Sequence, residues 1–253
     1  MFDAKKTANE IIDFIRDYYK KNNIKGAVIG ISGGKDSGVV AGLFSKAIGS
    51  ENVVGVWMPC HSNIMDYNNA MLVASTFGFD LIEVDLTSVY DNYVSSYKNI
   101  YPDLEDSELV DANINIKPRL RMATLYYNAA ILSHKRNGLY IVPGTSNKCE
   151  LFVGYFTKGG DNVADIQVLA DLTVDEVIAV GKYIGVPERV VNKAPDDGLS
   201  GKTDEEKLGV KYRDIACFMD GLYVPSKAKV KILELHNKNM HKFNIPTYKK
   251  KWN

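Results

Sequence analysis

The chain has 253 residues, 45% of them hydrophobic, which is enough to bury the core of one α/β domain. Its 31 Lys and Arg residues balance its 31 Asp and Glu residues, so no net charge attracts nucleic acid or an anionic membrane. The three cysteines lie far apart in the sequence, which argues against a disulfide framework and a cysteine metal site. We predict one domain, residues 1–253, in a cytoplasmic protein without a signal peptide or membrane-spanning run.

The first half of the chain alternates between helical and extended patterns. Apolar residues recur at helical spacing in 7–21, 39–48 and 66–77, and extended apolar runs occupy 27–31, 52–58 and 80–84. This order predicts a doubly wound α/β fold, in which a parallel sheet carries helices on both faces. Ligands of such sheets bind at the carboxyl ends of the strands, which is where the loop after 27–31 lies.

The second half continues the pattern with longer helices. Residues 88–111 are polar and rich in Tyr, which predicts a short helix and a loose excursion, and an extended run at 139–142 predicts a fourth strand. The helical pattern over 113–137 is apolar almost all round, which is typical of a helix buried in a core or an oligomer interface. A capping-box pattern opens a helix at 174–184, and further helices follow a loop at 195–202.

The loop from Gly30 to Ser37 has the composition of a phosphate-binding turn. A glycine-rich turn before a helix presents unpaired N–H groups and the positive end of the helix dipole to an anion. Asp36 would repel a phosphate unless a divalent cation lay between them. We therefore predict that this loop binds nucleotide phosphates together with a metal ion, through Ser32, Gly33, Gly34, Lys35, Asp36 and Ser37.

The pattern Ser-Gly-Gly-x-Asp-Ser at 32–37 resembles the loop of ATP pyrophosphatases, which adenylate a substrate and release pyrophosphate. Further motifs follow at 119–122, 144–150, 154–161, 203–209 and 241–242. With them, nearly the whole chain resembles the ammonia-dependent NAD synthetases. The resemblance implies an adenine nucleotide alpha hydrolase-like fold and a homodimer. It also implies a ligase that joins ammonia to nicotinic acid adenine dinucleotide, using ATP and Mg²⁺, through an adenylated carboxylate. We expect no room for the amidase domain of the glutamine-using relatives.

The same resemblance implies which residues form the site. Asp36 and Glu150 match the metal-binding carboxylates, and are expected to hold Mg²⁺ during catalysis. Asp161 matches a catalytic position near the nicotinic ring, where a carboxylate orients or deprotonates ammonia. Thr145 belongs to the implied ATP site. The implied dinucleotide-binding residues are Tyr18, Arg119, Tyr126, Lys158, Asp161, His241 and Lys242.

Three of these residues also have simpler interpretations. Glu150 would suit an exposed helix start, where the helix dipole favours a carboxylate. Asp161 would suit a turn in which it caps its own loop. Arg119, which its spacing places on one helix face with Tyr126, would also suit an ion pair with surface acids.

The chain departs from the family at two phosphate contacts. Val174 stands where many members have a Lys, and Asp196 stands where they have a hydroxyl residue. We hypothesise that Lys202 and Thr203 close over the ATP phosphates instead. These departures leave open a catalytically silent nucleotide-binding homologue. A tRNA-modifying ATP pyrophosphatase is a further alternative, which the neutral charge and scattered cysteines disfavour.

Overall fold

Four parallel strands form the central sheet of the computed structural model, which describes residues 2–105, 107–193 and 203–250. They are β1 (Ile24–Gly30), β2 (Val53–Trp57), β3 (Asp80–Glu83) and β4 (Leu139–Ile141), in the order β3-β2-β1-β4. A separate parallel ladder joins β5 (Pro143–Gly144) to β6 (Ile166–Gln167). The parallel α/β sheet predicted from the sequence is therefore confirmed.

Helices cover both faces of the sheet. One face carries α1 (Ala4–Asn22), α2 (Lys35–Ile48), α3 (Ile64–Phe77), α7 (Val174–Ile184) and α8 (Glu188–Val191). The other carries α4 (Thr87–Ile100) and α5 (Val110–Lys135). A smaller cluster beside the sheet contains α6 (Lys148–Val153), α9 (Asp204–Leu208), α10 (Tyr212–Met219) and α11 (Ser226–Asn239). No helix in these described ranges is both long and apolar enough to cross a membrane.

The central strand β1 is buried on both faces and fixes the position of the loop that follows it. Ala27 and Ile29 point into the core beneath α2, whereas Val28 points into the core beneath α5. Full burial of a Val or Ile side chain, such as Val28 or Ile29, stabilises the fold by about 1.5–3 kcal/mol. The loop after β1 therefore starts from one of the most firmly held segments of the chain.

The long helix α5 departs from the expected burial. Its apolar pattern predicted burial on every side, but within the helix only Lys117 and Ala129 are buried. Tyr127 and Ile131 are 70% and 45% exposed. The helix packs on one face of the sheet, and within residues 2–105, 107–193 and 203–250 no second layer covers its outer side. Enclosure of this helix in the core of one chain is therefore wrong, which leaves the interface alternative.

Candidate active site

The loop after β1 is folded by its own hydroxyl groups. Ser37 Oγ accepts a hydrogen bond from the N–H of Ser32 (3.2 Å) and donates one to the carbonyl of Gly34 (3.1 Å). The N–H of Gly34 donates to Ser32 Oγ (3.2 Å). Helix α2 begins at the next residue, and no side chain caps its N-terminus. The helix N-terminus therefore keeps the unpaired N–H groups and the dipole that favour a phosphate.

Gly33 is the residue of this loop that tolerates no side chain. Its φ is +78°, and a Cβ built on it would lie 2.3 Å from the carbonyl oxygen of Asp66 at the start of α3. Left-handed backbone costs a non-glycine residue about 1–2 kcal/mol, and the overlap would also displace the backbone of the loop or of α3. The loop and α3 are thus packed backbone against backbone.

We expect Gly33→Ala to weaken ATP binding by about 100-fold, because the loop would shift away from the helix N-terminus. The matched control is Gly78→Ala, which has the same strain at φ +77° but no atom nearer than 3.6 Å. Both variants should lose the stability that left-handed backbone costs, and Gly33→Ala should lose more because of its overlap with Asp66. Only Gly33→Ala should lose affinity in calorimetric titrations with ATP. Wild-type ATP affinity in Gly33→Ala would contradict this assignment.

Acidic groups gather where α2 and α6 begin. Asn147 caps α6 and lies 3.5 Å from Asp36 through its amide, while Glu150 Oε2 accepts from the N–H of Asn147 (3.0 Å). The simpler interpretation of Glu150 is confirmed in that this residue lies at a helix start, as N3 of the capping box of α6, and is wrong in that the side chain is only partly exposed. Burial, together with the charge of Asp36, raises the pKa of Glu150 to about 8.

Lys35 does not face the phosphate side of the loop. Its side chain is 3% exposed, and its Nζ lies 2.8 Å from Asp36 Oδ2. Burial alone would lower the pKa of Lys35, but the charges of Asp36, Glu150 and Asp204 outweigh burial and raise it. In this arrangement, Lys35 neutralises the acidic cluster, and its expected contact with ATP remains a prediction.

The pair Asp36 and Glu150 fits a Mg²⁺ ion shared with the nucleotide. Both are oxygen ligands, and burial, followed by the charge of Asp36, raises the pKa of Glu150, so a cation between the two carboxylates would favour their charged forms. In the described part of the chain, no group of three or more His, Cys, Asp or Glu residues could hold a metal alone. Mg²⁺ usually binds one or two carboxylates and takes its remaining ligands from phosphates and water.

A cavity of about 540 Å³ connects the loop to a second polar region. Ser32, Gly34 and Ser37 line one part of it, together with Thr145 from the loop after β5. The charged residues in its lining are Asp66, Lys117, Arg121, Asp161, Lys193 and Lys242. Asp36 is not a lining residue, although its neighbour Ser37 is. The cavity thus joins a phosphate-binding turn to the carboxylate of Asp161, which lines its other part.

Asp161 is held by its own loop and surrounded by cations. Its Oδ1 accepts from the N–H of Thr157 (2.8 Å), as the turn interpretation expected. Burial raises the pKa of Asp161, although this hydrogen bond and the charges of Lys242 and Arg121 oppose the rise. Lys242 donates to the carbonyls of Gly154 and Phe156, both at 2.8 Å, and so fastens the end of the chain to this loop. Asp161 both caps its loop and faces the cavity.

Comparison with known proteins decides the family. A family model described as NAD synthase matches residues 7–246. The NH₃-dependent NAD⁺ synthetase of Carboxydothermus hydrogenoformans is 39% identical over 242 residues, which are 94% of each chain. The chain belongs to the NAD synthase family.

Solved structures of this family share the fold. The NMN synthetase of Francisella tularensis matches 98% of this chain and 99% of its own, with 32% identity and a TM-score of 0.87. The NH₃-dependent NAD synthetase of Campylobacter jejuni matches 99% of this chain and 100% of its own, with 25% identity and a TM-score of 0.76. The resemblance and the fold expected from it are therefore confirmed.

The residues assigned to the dinucleotide by family resemblance fall into separate places. Asp161 and Lys242 line the cavity. Arg119 is exposed and donates to the carbonyl of Lys158 (3.3 Å), whose Nζ donates to the carbonyl of His241 (2.9 Å). These three residues form a continuous surface outside the cavity lining.

The two assigned tyrosines lie elsewhere in the chain. Tyr126 is a residue of α5 and packs on the apolar cluster beneath this helix, where burial and the nearby charge of Asp165 raise its pKa. Tyr18 lies on α1, stacked on Phe14 with ring centroids 6.3 Å apart. Arg119 and Tyr126 therefore make different contacts within one chain, and their shared role in binding the dinucleotide stays a prediction.

The chain departs from the family at two expected phosphate contacts, and the structure describes one of these positions. Val174 begins α7 and is buried among apolar residues. Thr203 caps α9, where its hydroxyl is hydrogen-bonded to Glu206 Oε2 (3.0 Å). Asp196 and Lys202 lie outside the described residues, so the hypothesis that Lys202 and Thr203 bind phosphate stays a prediction.

Several cavity residues were not assigned from the sequence. Lys117 and Arg121 lie one helical turn apart on α5, and both line the cavity. The i, i+4 spacing was a signal that these cations share a face, but the apolar neighbours obscured it. Asp66 and Lys193 are 127 positions apart, and no local pattern connects them.

Proposed function

We propose that this chain is an ammonia-dependent NAD synthetase. It would amidate nicotinic acid adenine dinucleotide at the expense of ATP, and release AMP and pyrophosphate. One observation carries the proposal: in a member of the NAD synthase family, a single cavity joins the phosphate-binding loop to the carboxylate of Asp161. A nucleotide-binding protein without chemistry would not need that carboxylate, and the family match also disfavours a tRNA-modifying enzyme.

The reaction divides into two steps. A carboxylate oxygen of the substrate attacks the α-phosphorus of ATP, and pyrophosphate leaves while bound to the loop between Ser32 and Ser37. Ammonia then attacks the carbonyl carbon of the AMP ester, and AMP leaves with the oxygen that it received. Asp161 accepts a hydrogen bond from ammonia and then a proton from the new C–N centre. Mg²⁺, held by Asp36 and Glu150, would neutralise the charge that develops on the phosphates.

We also propose that the active form is a cytoplasmic homodimer. The outer sides of α4 and α5 carry exposed apolar residues, namely Tyr93, Tyr97, Ile100, Tyr127 and Ile131. A second copy would cover this face and complete the burial that the sequence of α5 predicts. Light scattering at micromolar concentration should give twice the monomer mass of 28.1 kDa.

A second candidate substrate is the mononucleotide, nicotinic acid mononucleotide. It is favoured by one observation, namely the TM-score of 0.87 with the NMN synthetase of Francisella tularensis over nearly all of both chains. Both substrates carry the same nicotinic carboxylate, so the chemistry at Asp161 would be the same. They differ in the adenylate half, which the mononucleotide lacks.

One experiment distinguishes these functions. The protein is incubated with ATP, Mg²⁺ and ammonium, and with either nucleotide at equal concentration, and the products are separated by chromatography. We expect NAD to form with a kcat/KM at least about 10-fold above that for NMN formation. Preferential NMN formation would establish the second candidate. Binding of ATP without either amide product would establish the silent homologue.

A further inference from the structure

Four cations line the cavity, and one of them lies beside the phosphate-binding loop. Lys117 donates to the carbonyl of Cys60, and Arg121 donates to the carbonyl of Met58. Lys242 donates to the carbonyls of Gly154 and Phe156. These contacts hold three cations on α5 or near Asp161. Lys193, by contrast, forms an ion pair with Asp66 Oδ1 at 2.5 Å.

The position of Asp66 places Lys193 near the loop. The carbonyl of Asp66 packs directly on Gly33, as the overlap with a built Cβ shows. Asp66 itself is only 8% exposed, and both it and Lys193 line the cavity together with Ser32 and Gly34. The ammonium group of Lys193 therefore lies at the wall that an ATP phosphate chain would touch.

The loop needs a cation at this wall. Lys35 is committed to Asp36, and Val174 carries no charge. Asp66 adds a negative charge next to a site for an anion, which is repulsive unless a cation compensates it. Lys193 supplies that charge, and its flexible stem lets the ammonium group approach a phosphate.

We propose that Lys193 binds the β- and γ-phosphates of ATP and then the leaving pyrophosphate, with Asp66 as the group that holds Lys193 at the loop. The proposal rests on the proposed function, because it names a residue for the same adenylation step. On this proposal, the α-phosphate of AMP makes no contact with Lys193. Lys193 should therefore distinguish ATP and pyrophosphate from AMP.

The test uses Lys193→Met and measures binding of ATP, pyrophosphate and AMP by calorimetry with Mg²⁺. We expect the affinities for ATP and pyrophosphate to fall about 10- to 100-fold and the affinity for AMP to change less than about twofold. Lys193→Arg, which keeps the charge, should restore most of the ATP affinity. Unfolding temperatures of all variants report whether the fold is intact.

The matched control is Arg189→Met. Arg189 is a second cation of the same region, and its guanidinium donates to the carbonyl of Asn68 on α3 (3.0 Å), but it does not line the cavity. We expect this variant to bind all three ligands like the wild type. Unchanged ATP and pyrophosphate affinities in Lys193→Met, or an equal loss of AMP affinity, would overturn the proposal. Equal losses in Arg189→Met would also overturn it.

These measurements need no amide product. If the wild type binds ATP and pyrophosphate through Lys193 but forms neither NAD nor NMN, the proposed function fails and the role of Lys193 stands. If the wild type forms an amide product and Lys193→Met binds ATP and pyrophosphate normally, the proposed function stands and the role of Lys193 fails.

Discussion

Replacing Asp161 with asparagine is expected to lower kcat for amide formation by about 1,000-fold and to leave ATP affinity within about twofold. Asparagine has the same size, and its Oδ1 can still accept the hydrogen bond from Thr157. The variant therefore removes the charge and the proton acceptor without removing the turn. Steady-state rates at saturating ammonium, together with calorimetric titration of ATP, measure the two quantities.

Asp165→Asn is the matched control for this variant. Asp165 lies in the same segment and also accepts from a backbone N–H, that of Val142 at 2.8 Å, but it does not line the cavity. Its kcat should stay within about threefold of wild type, because asparagine keeps the acceptor. If Asp161→Asn behaves like Asp165→Asn, Asp161 serves only as a turn residue.

The pH dependence of the rate is an independent test of the role of Asp161. Burial raises the pKa of Asp161, so the neutral acid persists to a higher pH than in an ordinary aspartate. Activity that needs the carboxylate is then lost as pH falls through this raised pKa. At a fixed concentration of NH₃, the wild type should show this acidic limb, and the residual activity of Asp161→Asn should lack it.

Glu150→Gln is expected to lower kcat/KM for ATP by about 100- to 1,000-fold and to raise the Mg²⁺ concentration needed for half-maximal rate at least about tenfold. Glutamine can still accept the hydrogen bond from Asn147, so α6 keeps its cap. The unfolding temperature should not fall, because glutamine keeps this hydrogen bond and places no charge in the site. Magnesium titrations of the rate and thermal unfolding test both expectations.

Glu176→Gln provides the comparison. Glu176 occupies the same capping-box position on α7, where it accepts from the N–H of Thr173 at 2.8 Å. This variant should cost at most about 1 kcal/mol of stability and leave the rate and the Mg²⁺ requirement within about twofold. Equal behaviour of the two variants would mean that Glu150 is only a helix cap.

The main elements were predictable because their signals are local. The strands β1 and β2 are continuous apolar runs, and the capping box of Thr173 and Glu176 is confirmed where the sequence placed it. The strands β5 and β6 have two residues each, which is too short for any periodicity. The pattern of α5 showed how much apolar surface the helix has, but it could not show whether one chain covers that surface.

The site was predictable where one motif contains the whole interaction. The turn at Gly33 and the cap formed by Asn147 and Glu150 are of this kind, since spacing within a few residues sets their geometry. The raised pKa of Lys35 was not fully predictable, because Glu150 of α6 and Asp204 of α9 add to the charge of its neighbour Asp36. The contact between Lys193 and Asp66 depends on how α8 packs against α3, which no local spacing encodes.

We propose that the substrate carboxylate is adenylated before ammonia attacks it. The test uses nicotinic acid adenine dinucleotide labelled with heavy oxygen in its carboxylate, and mass spectrometry of the AMP, pyrophosphate and NAD that form. We predict one labelled oxygen in each AMP, one in the amide of each NAD and none in pyrophosphate. Unlabelled AMP in a reaction that makes NAD, or label in pyrophosphate or orthophosphate, would contradict the mechanism.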